Sequence, residues 1–140
     1  MSLVEAPEAF LFQRLTSQTA VSSLVGNRVY PMYAKQGEAL PLIIYQRTGV
    51  ERPQSLAGNV GNPVITLQLT TYGTSYTNVK QIARAVRLAV DGWTGTTAGV
   101  TIQRTTLESE ADGMEAPSDD QMLPYYTVVQ TFDFRVNEAT

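Results

Sequence analysis

The chain has 140 residues, 43% of them apolar and 16% charged, with ten basic and thirteen acidic residues and a formal net charge of -3. That length and composition fit one folded domain, and so mild a charge argues against nucleic acid as a primary ligand, which needs a strongly basic face. Histidine and cysteine are both absent, which excludes Ser-His-Asp and Cys-His catalysis, zinc held by either residue, disulfides and thiol redox chemistry.

The first residues, Met-Ser-Leu-Val-Glu-Ala-Pro-Glu, carry no basic stretch ahead of an apolar one, so no secretory signal is expected. No apolar run approaches the roughly 18 residues of a membrane-spanning helix. From Pro7 to Leu24 the spacing of Phe10, Leu11, Leu15, Val21 and Leu24 predicts a first helix, which Gly26-Asn27 ends. Arg28 to Tyr33 predicts a short strand that Pro31 confines to a sheet edge or an irregular extended segment. Leu42 to Thr48 predicts a strand apolar on both faces at its start. The Gly-, Pro- and Asn-rich stretch 49–63 then predicts a long loop where a hairpin needs two to five residues.

Val64 to Tyr72 alternates strictly, with Ile65, Leu67 and Leu69 inward and Thr66, Gln68 and Thr70 outward. Ser75 or a neighbouring threonine caps a second helix that runs to Asp91 and buries Val79, Ile82, Ala83, Val86, Ala89 and Val90. Gly95 to Gly99 predicts a turn, Val100 to Leu107 a strand, and 108–124 a second long loop. The last strand, Tyr125 to Val136, turns Tyr126, Val128, Phe132, Phe134 and Val136 to the core, and Thr127, Thr131, Asp133 and Arg135 away from it. The order α-β-β-β-α-β-β predicts a single-domain α+β fold, an antiparallel or mixed sheet flanked by two main helices.

Glu108, Glu110, Asp112, Gly113 and Asp119 match the acidic and glycine positions of a calcium-binding EF-hand loop. Glutamate in the first position, Glu115 in place of an apolar residue and strand-like flanks argue against an ion there. With Asp120, the segment holds six carboxylates and no basic residue. It is a candidate to dock on a basic strip of another subunit, Lys80, Arg84 and Arg87, spaced for one helix face. The plain alternative is a solvated acidic loop beside a solvated helix face.

Paired-carboxylate catalysis needs two acids at fixed separation, and acids gathered in one loop hold no such geometry. Neither lysine, Lys35 or Lys80, sits in an apolar run that would depress its pKa. Gly49, Gly58 and Gly61 match no phosphate-binding fingerprint. No catalytic, cofactor or metal residue is therefore assigned, and no cofactor is expected.

Three stretches together carry a family resemblance. They are Ser23-Leu-Val-Gly-Asn-Arg-Val-Tyr-Pro31 into Leu40-Pro-Leu-Ile-Ile-Tyr45, then Leu67-Gln-Leu-Thr-Thr-Tyr-Gly73 through Ala89, and the closing Phe132-Asp-Phe-Arg-Val136. In their order the chain resembles the tail-completion proteins of long-tailed bacteriophages, a group that includes tail terminators and tail-to-head joining proteins. The resemblance implies a non-enzymatic α+β virion protein that assembles in the host cytoplasm as a hexameric ring at the head-proximal end of the tail. It implies the tail tube and head connector as partners, DNA passing through the ring without specific binding, and no membrane. Rival expectations are a head-side adaptor or minor tail protein, a small cytosolic ligand-binding module with a deep apolar pocket, and an enzyme working through clustered carboxylates.

Overall fold

Residues 6–31, 40–51, 54–55, 58–59, 63–97, 100–115 and 125–137 are described by a computed structural model of the chain. The expected first helix is two helices, α1 (Ala6–Ser17) and α2 (Thr19–Val25), meeting at Gln18 in extended conformation. The physical reason lies just before the break. Thr16 Oγ1 donates to the Phe12 carbonyl at 2.8 Å and Ser17 Oγ to the Arg14 carbonyl at 3.1 Å, so hydroxyls compete for acceptors of the helix ladder. Both pieces still face inward through Leu11, Leu15, Val21 and Val25, and α2 stops at Gly26, whose φ of 61° favours glycine.

Strands β1 (Val29–Pro31), β2 (Leu42–Glu51), β3 (Gln54–Ser55), β4 (Gly58–Asn59) and β5 (Val64–Gly73) follow, then α3 (Tyr76–Val90), β6 (Gly95–Thr97), β7 (Val100–Glu115) and β8 (Tyr125–Asn137). The main sheet has the order β1-β2-β5-β8-β7-β6, parallel only between β1 and β2, and β3–β4 is a separate two-stranded hairpin. The result is an α+β fold with a mixed sheet. Pro31 lies on an edge strand, where its missing N–H costs no ladder bond.

Three sequence expectations need correction. The loop expected over 49–63 begins later, because β2 continues to Glu51 past a bulge at Arg47/Gly49, and β3–β4 falls within the remainder. The turn expected at 95–99 holds β6. The loop expected over 108–124 starts at the earliest after Glu115, because β7 stays paired with β8 from Ser109↔Thr131 to Glu115↔Tyr125. The expected strand Arg28–Tyr33 ends within the described residues at Pro31, and Met32 and Tyr33 lie outside them.

All three helices and the sheet share one main core, and Val79, Ala83 and Val128, with Tyr126 against them, form a second, smaller cluster. Phe132 and Phe134 are fully buried at the centre of the main core, ring centroids 6.5 Å apart, with Leu67 and Leu107 across from Phe132 on the neighbouring strands. The stripe of α3 is the expected one, from Val79 to Val90. Close packing is tightest where β5 hands over to α3. A Cβ on Gly73 would stand 2.6 Å from Val79 Cγ1, so only glycine allows this approach. Arg14 clamps α1 to the end of α3, its Nε donating to the Ala89 carbonyl at 2.9 Å and its guanidinium stacked 5.6 Å from the Trp93 ring centre.

Candidate assembly surface

The helices cover one face of the sheet, and the strand alternation that buries Ile65, Leu67 and Leu69 turns Thr66, Gln68 and Thr70 to the other. Register sorts this helix-free face into rows. One row is Gln46, Gln68, Thr131 and Ser109, and the next in register on this face is Ile44, Thr70, Val129 and Ala111. Neither contains a charge. Charge gathers at one end, where Glu51, Arg104, Glu108, Asp133 and Arg135 line a shallow depression of about 300 Å³. Asp133 is held there by Thr66, whose hydroxyl donates to it at 2.8 Å.

At the other end β7 runs on beside β8, whose other neighbour β5 stays paired with it as far as Gly73↔Tyr126. Two bulges shape β7, at Ile102/Arg104 and at Leu107/Ser109. Each inserts one residue and reverses which side chains face the helices. The helix-side set therefore passes from Ile102 to Thr105 and Leu107, then to Glu110, Asp112 and Met114.

This phase reversal points the acidic residues at α3 of the same chain. Asp112 accepts from the Tyr76 hydroxyl at 2.6 Å and pairs with Lys80 at 2.9 Å, all three exposed or half-exposed. Tyr76 in turn stacks edge-on against Tyr126 at 6.1 Å. The hydrogen bond from Tyr76, then that from Lys80, holds the Asp112 carboxyl below its ordinary pKa. The hydrogen bond to Asp112 raises both the Tyr76 phenol and the Lys80 ammonium.

Near the middle of β8, Gln130 is fully buried, and its Nε2 donates to the Ala83 carbonyl and to Glu110 Oε1, each at 2.9 Å. Its Oε1 has no partner among the described residues. Alternation places Gln130 on the core face between Val128 and Phe132, and that placement was the available signal for its role.

The expected sites change accordingly. Glu108, Glu110, Asp112 and Gly113 lie in an extended strand, Glu110 and Asp112 on its helix side and Glu108 on the other, which is not the wrapped loop of an EF-hand. Glu115 is the last residue of that strand, while Asp119, Asp120 and Lys35 lie outside the described residues. Among the described residues no cluster of three metal-ligating side chains occurs. Of the basic strip, Lys80 is taken by Asp112 of its own chain. Arg84 is exposed beside Gln81 and Tyr76 in a shallow depression, and Leu88, one turn on, is 65% exposed.

A family model described as tail completion protein gp17 matches residues 9–137, and the chain belongs to that family. It is thus a structural protein of phage tails. A chain from the virion of a native gene transfer agent particle has the same fold. Its TM-score is 0.77 at 16% identity, with 96% of this chain and 98% of that one covered. No curated protein matches the sequence. No described helix is long and apolar enough to cross a membrane.

Proposed function

We propose that the chain is one tail-completion domain that caps the tail tube and joins tail to head by assembling into a hexameric ring. It makes and breaks no covalent bond. Family membership supports the tail role, and the observation that carries the ring is the asymmetry of the sheet. Its two edges differ, β1 with β2 on one side and β7 with β6 on the other. Heterologous contacts between unlike patches generate closed rings when the rotation closes. The uncharged rows of the helix-free face suit a channel that DNA crosses, since a basic lining would hold phosphates by releasing their counterions. The segments 49–63 and 108–124 supply contacts to neighbouring subunits and to the tube. The ring sits at the head-proximal end of the tail, facing the head connector, after assembly in the host cytoplasm.

Gold labelling of a tagged chain in isolated virions tests this placement. Label confined to the junction of head and tail is expected. Label spread along the tube, or at the far tip, overturns it.

A further inference from the structure

Both long strands outrun their outer neighbours. β6 covers only Val100–Ile102 of β7. Farther on, the Gly92 N–H donates to the Thr105 carbonyl at 2.9 Å, and the Leu107 N–H donates to Asp91 Oδ1 at 3.1 Å. From Glu108 to Glu115 no described strand lies on the outer side of β7. On the opposite edge β1 covers Ile43–Tyr45, and no described strand lies beyond Gln46–Glu51 of β2. Open edges of this kind present a ready template for another strand.

We propose that these two edges join copies of the chain head to tail, β7 of one copy pairing antiparallel with β2 of the next. The inference rests on the ring reading above and names its contact. Strand direction supports it first. β2 and β8 run one way and β5 and β7 the other, so a sheet continued into an identically oriented copy sets β7 antiparallel to β2.

Backbone phase agrees. The Ile43 N–H donates outward to the Arg28 carbonyl, so helix-side residues of β2 turn their backbone groups to the edge, and past the bulge that phase falls on Val50. The outward bonds at Thr105 and Leu107 set the same rule on β7, and past its second bulge the phase falls on Glu110, Asp112 and Met114. Both edges therefore offer backbone groups at residues whose side chains lie on the helix side, as a continuous sheet requires.

Register is then narrow. A pairing that clears the end of β1 at Tyr45 and the Asp91 cap at Leu107 sets Ser109–Gly113 against Gln46–Glu51. Glu110 faces Val50, Ala111 faces Gly49 and Asp112 faces Arg47. Charge agrees, because segment 108–115 holds four carboxylates and no basic residue. Two β7 edges paired with each other would oppose like charges, which destabilises a sheet.

The slide this demands fits a closed barrel. Ala111 is level with Thr70, through Val129, whereas Gly49 is level with Thr66. Four residues of slide are about 13 Å, and the repeat from β2 of one copy to β2 of the next, four strand spacings, is about 19 Å. The ratio corresponds to a strand tilt of about 35°, at the edge of the range of about 35–45° that closed barrels adopt.

The absence of native cysteine makes the test direct. Ala111→Cys and Gly49→Cys are introduced together in the full chain. Ala111 is exposed, and a Cβ at Gly49 meets nothing within 4 Å. Within one copy the two positions are three strands and four residues apart, about 19 Å, well past the ~7 Å Cα separation a disulfide tolerates. Oxidation at ring-forming concentration should give a ladder of covalent oligomers that ends at the ring size seen by native mass spectrometry. Each single variant should stay uncrosslinked. Rings without a ladder overturn this contact and leave the ring reading standing. Covalent dimers from Ala111→Cys alone show that β7 pairs with itself, and also overturn it. An unmodified chain that forms no ring, alone or on tail tubes, removes both.

Discussion

Gln130 is the side chain whose replacement most sharply tests how β8 is tied to α3 and β7. Changed to leucine, it loses a bond to the Ala83 carbonyl and one to the Glu110 carboxylate, worth about 0.5–1.5 and 1.5–3 kcal/mol net. The same change removes the buried, unpartnered Oε1, relieving a desolvation cost of about 1–3 kcal/mol. The Ala83 carbonyl keeps its place in the α3 ladder, and Glu110 is exposed to water. Gln130→Leu is therefore expected to cost only about 1–2 kcal/mol in urea unfolding at pH 7.

Gln130→Glu behaves differently. It buries a carboxylate against another carboxylate and a helix carbonyl, with no donor of its own, and is expected to cost more than about 3 kcal/mol at pH 7. Desolvation and Glu110 raise the folded pKa of the new group above its unfolded value. Its protonated form is the one the fold accepts, so the deficit shrinks as pH falls through that raised pKa. Equal urea midpoints for the two variants at pH 7, or no recovery of Gln130→Glu on acidification, would refute this account of a buried clamp.

Phe132→Ala empties the centre of the core and should lower the unfolding free energy by about 3–5 kcal/mol, read by denaturant titration; a loss under 1 kcal/mol contradicts the packing. Gly73→Ala drives a methyl group against Val79 and is expected to cost about 1–3 kcal/mol in the same assay, whereas an unchanged midpoint means that β5 and α3 part easily. The Tyr76–Asp112–Lys80 cluster contributes above the unfolded carboxylate pKa and below the unfolded phenol and ammonium values. It fades as pH falls through the lowered pKa of Asp112, or rises through the raised pKa values of Tyr76 and Lys80. Spectrophotometric titration should find a tyrosine above the ordinary phenol range that returns to it in Asp112→Asn, and a titration curve unmoved by that change removes the cluster.

Periodicity made α3, β5 and β8 legible because each keeps one phase from end to end. The outward threonines of β5 and β8 even mark the face that no described helix covers. β7 was legible only as far as Leu107. Its two bulges reverse the inward phase twice, so Ile102, Leu107 and Asp112 share one face without sharing a parity. Acidic residues beyond the second bulge then resemble a solvated loop by composition. The break between α1 and α2 was hidden for a related reason: Gln18 is no breaker, and the interruption comes from the hydroxyls of Thr16 and Ser17. Lys80 stood out as one of an exposed basic set, to be solvated or to dock an acidic loop of another subunit. Only the straightened β7 brings Asp112 within 2.9 Å of it in the same chain.

The most direct test of a part played through assembly is electron microscopy of particles produced without this chain. Filled heads lying apart from tails, and tubes of abnormal length or left unjoined, are the predicted outcome, with whole virions restored when the chain is supplied again. Complete, infectious virions formed in its absence would contradict the account.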